Sequence, residues 1–286
     1  PHATIRPFAL TADELAAALG DAGFDLLQTA NSYSIQNGLT GLQRTKAVIE
    51  GERLTALGTY VSKSDASANR VVVRDINGIR IAFVAFTKGL NGMSIPAGSE
   101  YCTNLLYTDY SGNYTRVDTD GITAVLTQAR SLQPDVIVAA LHWGSEGSSE
   151  VSKTQEQIAN LLLRNGVDVI IGSHSHRAGQ VERHTVYASD GSSKEAVIAY
   201  SLGDYCTTEE GGVNASLILN LEFTRDHTSG VTTLTDVGYT PIATVDFGPE
   251  AKQRYAVLNM DNAIALYESN YYDRIPEEIY QTLLTR

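Results

Sequence analysis

The strongest constraint on the fold is a regular alternation of apolar, strand-length runs with amphipathic helical segments between Phe24 and Gly172. Several apolar runs lack polar positions, which is typical of strands buried on both faces of a parallel sheet. The helical segments supply the crossover connections that parallel strands need. The sequence therefore predicts an α/β fold with an at least partly parallel sheet. The strand runs are FDLLQTA, VVVRDINGIRIAFVAF, DVIVAALH and VDVIIG, and the helices include DTDGITAVLTQARSL and KTQEQIANLLLRNG.

The second half of the chain has a different pattern. Strand-like segments dominate from about residue 179 to VGYTPI, and the tail segments DNAIALYESNYY and PEEIYQTLLTR have helical patterns. Within the first half, Asn77-Gly78 between two β-branched runs predicts a type I′ hairpin turn. No linker, repeat or low-complexity tract interrupts the chain, so we predict a single domain over residues 1–286.

Composition excludes several classes of protein. Hydrophobic residues make up 43% and charged residues 19% of the 286 residues, which is typical of a globular chain and not of a disordered one. The formal net charge of −12 makes the chain a poor electrostatic match for DNA or RNA, and we expect no nucleic-acid partner. No apolar run has the length of a membrane-spanning helix. The phosphate-cradling GxGxxG pattern and the hydrolase GxSxG elbow are also absent.

Polar side chains with chemical potential follow the predicted buried strands. In open α/β sheets, ligands bind where loops leave the carboxyl ends of the strands. Three such loops stand out, namely Asn31-Ser32-Tyr33, His142 to Glu146, and Ser173 to His176. A fourth strand ends in Ser201-Leu202-Gly203-Asp204, where Asp204 is either a site residue or a turn former. The sequence predicts a binding site at this edge of the sheet.

The pair His174 and His176 is the most specific feature of these loops. Two imidazoles at positions i and i+2 can coordinate a metal ion through neutral nitrogens, and His142 follows a neighbouring strand. The alternative is two surface histidines in a polar loop. Glu146 could orient an imidazole or act as a general acid or base, or it could be a solvated carboxylate. Trp143 is either a recognition residue or part of the core. Metal or anion binding is the favoured interpretation.

Five blocks, in order and spacing, resemble the CapA-type poly-γ-glutamate capsule synthesis proteins, a family related to the calcineurin-like metallophosphoesterases. The blocks are AGFDLLQTANSYSIQNGLTGL, IAFVAFTKGLNGMSIP, LHWGSE, GVDVIIGSHSHRAGQVE and YSLGD, and the resemblance runs from about Leu15 to Leu221. It implies a four-layer α/β/β/α sandwich with a site at the strand ends that holds a divalent metal ion (Zn, Mn or Fe).

The resemblance also implies roles for individual residues. The metal ligands would be His142, His174, His176 and Ser32; the catalytic residues would be Glu146, His142 and Tyr33; and the substrate-binding residues would be Asn31, Trp143, Ser201 and Asp204.

Two departures from the family pattern point to a partly degraded metal site. Ser32 stands where the family has a ligand Asn, and Tyr33 stands where it has a His thought to act as the acid. The family's N-terminal strand, with its Gly-Asp metal-binding turn, has no counterpart before Pro1. Three hypotheses therefore stay open: a capsule or surface-polymer biosynthesis protein, an active metal-dependent phosphoesterase, and a non-catalytic surface binding domain.

Partners and location follow from the same resemblance. We expect an anionic polymer or a phosphate-containing small molecule as ligand, and other capsule-synthesis proteins as partners. We also expect an extracellular, cell-surface location with a membrane anchor in a segment that precedes Pro1. Disulfides persist in that compartment, so Cys102 and Cys206, in two loops on the same side of the sheet, would form a bridge; two unpaired thiols are the alternative.

Overall fold

In the computed structural model, residues 12–187, 191–207, 213–272 and 274–285 are described. The helices are α1 (Ala12–Asp21), α2 (Gly38–Gly51), α3 (Lys63–Asn69), α4 (Thr119–Ser131), α5 (Lys153–Arg164), α6 (Met260–Glu268) and α7 (Glu277–Leu283). The strands are β1 (Leu26–Gln28), β2 (Thr55–Leu57), β3 (Val72–Ile76), β4 (Ile79–Thr87), β5 (Val136–His142), β6 (Val169–Ser173), β7 (Val181–Tyr187), β8 (Ser193–Ala199), β9 (Val213–Arg225), β10 (Thr232–Asp246) and β11 (Tyr255–Asn259). A short 3₁₀ helix covers Glu100–Cys102.

The main sheet has six strands in the order β3-β4-β5-β6-β8-β7. Its four central strands run parallel, and the edge strands β3 and β7 are antiparallel to their neighbours. The predicted parallel core is therefore confirmed. The predicted hairpin is confirmed as well, because Asn77 and Gly78 join β3 to β4 with φ angles of 53° and 83°, as a type I′ turn requires.

Two faces of the main sheet are covered by different layers. Ile137 and Leu141 share a buried cluster with helices α4 and α5, whereas Val136 and Val138 pack on the opposite side against Phe223 of β9. Successive side chains of β5 alternate between the two faces because a strand has a two-residue period. The strands β9, β10 and β11 form a second, antiparallel sheet.

Helices cover the far side of this second layer. Helices α6 and α7 pack on the β9–β11 sheet through a cluster that includes Val245, Met260 and Ile279. The short parallel pair β1-β2 packs on the face of the main sheet that β9 also covers. Helices α1 and α2 cover this pair of strands through Leu19 and Ile49. The order of layers is thus α/β/β/α, and the predicted four-layer sandwich is confirmed.

Local sequence signals define where α4 and α5, the two helices that pack on the main sheet, begin. The Asp118 carboxylate accepts the Gly121 backbone N–H at the start of α4. At the start of α5, Ser152 and Gln155 form a reciprocal capping box. Such caps contribute about 1 kcal/mol each. In the described part of the chain, no helix has both the length and the apolar character needed to cross a membrane.

The predicted bridge between Cys102 and Cys206 is wrong, since both cysteines are free. Cys102 is fully buried in a cluster with Ile35, Leu42 and Leu90, whereas Cys206 is exposed in the loop after β8. Burial in this apolar cluster raises the pKa of the Cys102 thiol to about 11. The cysteines therefore give no support for an oxidising location.

Close packing at Gly172 connects the main sheet to the loops at its edge. The Trp143 indole stacks on Tyr200, with ring centroids 5.7 Å apart, and its Nε1 donates to the Tyr200 carbonyl oxygen over 2.9 Å. A Cβ atom at Gly172 would overlap with both that carbonyl oxygen and the indole nitrogen. Only glycine fits between these two groups.

We expect Gly172→Ala to destabilise the protein by about 3 kcal/mol, because the added methyl group must displace backbone. Gly51→Ala is the matched control, since Gly51 ends α2 with open space around its Cα, and alanine there should be neutral or stabilising by up to about 1 kcal/mol. Urea unfolding curves of the three proteins measure both effects. Equal midpoints for Gly172→Ala and the wild type would contradict this packing.

Candidate functional site

The carboxyl ends of β4, β5 and β6 are aligned by strand pairing. Thr87 lies opposite His142, and His142 lies opposite Ser173. Lys88 directly follows β4, and its backbone N–H donates to the His142 carbonyl oxygen over 2.7 Å. This register places Lys88, His142 and His174 at adjacent positions along one edge of the sheet.

Three predicted residues meet at that edge, and we call them the strand-end site: Ser32, His142 and His174. The imidazole rings of His142 and His174 have centroids 4.4 Å apart. The Ser32 hydroxyl shares a hydrogen bond of 3.0 Å with Nε2 of His142. The loops after β1, β5 and β6 therefore meet as the strand-end rule predicts.

His176 makes a separate contact. Its Nδ1 lies 3.0 Å and 3.1 Å from the two carboxylate oxygens of Asp204, and its side chain is half exposed. His174 and His176 have φ angles of 95° and 60°, which side chains with a Cβ rarely adopt. Backbone strain of this kind accumulates at functional sites. The loop thus holds His174 beside His142 and pairs His176 with Asp204, so Asp204 has a specific partner rather than serving only as a turn former.

Glu146 borders the site from the solvent side. Its Oε1 lies 4.0 Å from Nδ1 of His174, and its side chain is 64% exposed. At that distance it can act on the charge of the imidazole and reach a bound ligand, but it does not hold the ring by a short hydrogen bond. The structure therefore leaves the predicted acid–base role of Glu146 open.

Lys88 is a site residue that the sequence reasoning missed. Its ammonium donates to the Gly144 carbonyl oxygen over 2.6 Å and lies 4.7 Å from the centroid of the Tyr114 ring. Burial lowers the pKa of Lys88, and the charge of Glu146 opposes that change. The strand-end rule would have found this lysine, because it follows directly after β4, as His142 ends β5.

Burial controls the charge state of the imidazole pair. It lowers the pKa of His142 to about 3, and the charges of His174 and Lys88 contribute in the same direction. Burial likewise lowers the pKa of His174 to about 4, with Lys88 again contributing and Glu146 opposing. Both imidazoles are therefore neutral at neutral pH, so each ring has one nitrogen that donates a hydrogen bond and one that accepts.

The side chains that the described residues bring to the strand-end site do not fit a divalent metal centre. Within the described ranges, no group of three or more His, Cys, Asp or Glu side chains is arranged to hold a metal ion. Two neutral imidazoles are suitable ligands, but the Ser32 hydroxyl is a poor one and the Lys88 ammonium repels cations. The set His142, His174, His176 and Ser32, predicted for Zn, Mn or Fe, is accordingly not assembled as a metal site.

Two residues predicted to bind substrate are part of the core. Trp143 is 1% exposed and is held between strands by its stacking on Tyr200, so it offers no surface to a ligand. Ser201 is also buried, and its hydroxyl accepts the Gly203 backbone N–H over 3.2 Å in a turn. A strand-end position does not determine on which side of the sheet a side chain lies, and the substrate-binding roles of these two buried residues stay predictions.

Asn31 and Tyr33 lie beside the strand-end site. The Asn31 carboxamide oxygen accepts the Tyr33 backbone N–H over 2.8 Å, which stabilises the turn after β1. The Tyr33 side chain is 59% exposed. Both residues line a pocket of about 480 Å³ next to β1 and α2. Their predicted roles in substrate binding and proton transfer stay predictions.

The buried imidazole pair should make the protein sensitive to acid. The unfolded chain protonates its histidines near pH 6.5, whereas folded His142 and His174 stay neutral down to about pH 3 and 4. This contribution to stability is fully present above pH 6.5 and is lost as the pH falls, at roughly 1.4 kcal/mol per pH unit for each group.

The measurement is the free energy of unfolding in urea at pH 7.5 and pH 4.5. His142→Gln should lose less stability between these two pH values than the wild type does. His227→Gln, which removes an exposed imidazole of the β9–β10 turn, serves as control and should follow the wild type. An identical pH dependence in His142→Gln and the wild type would contradict the buried neutral imidazole.

Two of the solved structures that are similar to this chain have low sequence identity to it. The calcineurin-like phosphoesterase YfkN from Bacillus subtilis has a TM-score of 0.45 and 13% identity, covering 94% of this chain and 74% of that chain. A hypothetical protein from Thermus thermophilus also has a TM-score of 0.45, with 12% identity and 79% coverage of each chain.

Comparison with known sequences identifies the family. The chain is 26% identical over 195 residues to the PGA biosynthesis protein CapA of Bacillus subtilis (strain 168), covering 68% of this chain and 46% of that protein. It is 24% identical over 196 residues to the capsule biosynthesis protein CapA of Bacillus anthracis, covering 68% and 42%. The chain therefore spans less than half the length of these relatives. The family model of the bacterial capsule synthesis protein PGA_cap matches residues 3–209, more than half of the chain, and the chain belongs to this family.

Proposed function

We propose that this chain acts in the biosynthesis of a bacterial surface polymer, poly-γ-glutamate or a related capsule polymer, by binding an anionic group at the strand-end site. Membership of the capsule synthesis family and the names of the two relatives support the polymer. The observation that supports anion binding at this site is the contact of Ser32 with His142 and of His142 with His174, which brings hydroxyl and imidazole groups together at one sheet edge.

We further propose that the metal site of the family is partly degraded in this chain. Ser32 occupies the position of an amide ligand and bonds to His142 instead. Tyr33 occupies the position of the presumed acid, and a phenol is a weak proton donor at neutral pH. Lys88 is bonded through its backbone to His142 and through its ammonium to Gly144, and this fixed positive charge at the same edge favours an anion over a divalent cation.

The second candidate function is an active metal-dependent phosphoesterase. Glu146 favours it, because a carboxylate 4.0 Å from His174 could serve as a general acid or base next to the imidazole pair. In that case a metal ion would need ligands in addition to those that the described residues bring together. The two candidates differ in whether turnover depends on added metal and on His174.

The location follows from the proposed role. A capsule polymer lies outside the cytoplasm, so we propose a cell-surface domain that works with other capsule-synthesis proteins. Any attachment to the membrane would use a segment other than the described helices, none of which could span it. We propose one domain over residues 1–286, because the four layers include strands and helices from both halves of the chain.

Replacing both imidazoles should reduce the amount of surface polymer. In the source bacterium, the double variant His142→Gln/His174→Gln in the chromosomal gene should lower surface-associated γ-glutamate polymer several-fold, with the protein level unchanged. His227→Gln, at an exposed turn, is the matched control and should keep the wild-type amount. Polymer at the wild-type level in the double variant would contradict the proposed function.

Metal-dependent phosphoesterase activity should be weak or absent. With Mn²⁺ or Zn²⁺ added, the purified chain should hydrolyse p-nitrophenyl phosphate no faster than the His174→Ala variant does, because too few ligands are arranged around a metal. His227→Ala controls for the loss of an imidazole elsewhere. Fast turnover that needs the metal and disappears in His174→Ala would favour the phosphoesterase.

A further inference from the structure

We propose that Lys88 makes the strand-end site selective for an oxyanion, with its ammonium and the two imidazoles of His142 and His174 surrounding a carboxylate or phosphate group of the ligand. The inference rests on the proposed function and deepens it, because it names the residue that recognises the anionic group. Lys88 lies in the block IAFVAFTKGLNGMSIP, but the sequence alone predicts no role for it.

The ammonium of Lys88 is a half-buried cation without a carboxylate partner. Among the described residues it has one hydrogen-bond acceptor, the Gly144 carbonyl oxygen at 2.6 Å, and no carboxylate oxygen lies within ion-pair distance. The Tyr114 ring covers another side at 4.7 Å. An ammonium has three donors, and a buried charge is costly unless it is paired. A bound anion would supply the missing partner.

The surroundings of Lys88 favour a bound oxyanion. Its backbone N–H donates to the His142 carbonyl oxygen, and its ammonium donates to the carbonyl oxygen of Gly144 in the loop that follows His142, so the lysine lies beside the imidazole pair. The Ser32–His142 hydrogen bond leaves that pair one free donor, and the neutral His174 ring can supply one N–H, so the cation and neutral donors meet at one place. Carboxylate and phosphate oxygens accept such bonds, whereas a divalent cation would be repelled by the ammonium.

Gly144 holds the lysine in place. Its φ of 78° is in the left-handed region, and a Cβ there would contact the amide of Gln155 at 3.0 Å. This conformation presents the Gly144 carbonyl oxygen to the ammonium at the base of the site. The lysine is therefore fixed by β4, by Gly144 and by Tyr114, and the site is preorganised before the anion binds.

Calorimetric titration of the purified chain with γ-glutamate oligomers and, separately, with orthophosphate tests the inference. Lys88→Met should weaken binding about tenfold or more, because a charge-assisted hydrogen bond and its ion pair are lost. Lys88→Arg keeps the charge and should retain most of the affinity. Lys252→Met, at an exposed lysine between β10 and β11, makes the same change in net charge and should bind like the wild type.

The two titrants identify the source of the oxyanion. Tighter binding of the oligomer assigns the site to the carboxylates of the polymer, and tighter binding of orthophosphate assigns it to a phosphate group. A wild-type chain that binds neither anion overturns the inference, and so does Lys88→Met binding both as tightly as the wild type. If Lys88 governs binding and yet the His142→Gln/His174→Gln bacterium makes normal polymer, the oxyanion site stands and the proposed function fails.

A measurement on the unmodified chain removes any dependence on how the variants fold. In heteronuclear NMR spectra of the imidazole groups, adding whichever titrant binds, the γ-glutamate oligomer or orthophosphate, should shift the resonances of His142 and His174. The resonances of His184, which bonds to Glu182 on β7, and of His227 in the β9–β10 turn should stay in place. Shifts confined to those two distant histidines would overturn the inference.

Discussion

The in-register pairing of the parallel strands β4, β5 and β6 is the constraint on which the site depends. It sets Thr87 opposite His142 and His142 opposite Ser173, so the polar side chains at the ends of these strands lie at one edge of the sheet. A slip of one residue would turn each side chain to the opposite face of the sheet. Burial of both faces, by helices on one side and β9 on the other, makes such a slip costly.

Much of the fold could be predicted from periodicity, while several side-chain positions could not. Continuous apolar runs and the Asn77-Gly78 turn identified the central strands, but β2 and β11 do not lie in such runs and were not predicted. The site residues were predicted through their strand-end positions. Which way each points depends on contacts distant in sequence, as the burial of Trp143 against Tyr200 and the positive φ of His174 show.

Electrostatics distinguish this site from a centre built for a cation. Its two imidazoles are kept neutral by burial, and its fixed charge is the ammonium of Lys88. The nearby carboxylate, Glu146, is largely in solvent, where its field is screened. The second carboxylate, Asp204, is occupied by His176. The local charge at the base of the site is therefore positive, although the chain as a whole carries a net charge of −12.

A crystal structure of the chain grown with both a γ-glutamate oligomer and Mn²⁺ present tests the central claim most directly. Anomalous scattering then separates the metal from the organic anion at the strand-end site. The account predicts a carboxylate in contact with the Lys88 ammonium and the imidazoles of His142 and His174, with no anomalous peak between the rings. A manganese ion coordinated by His142 and His174, with Lys88 displaced from Gly144, would contradict it.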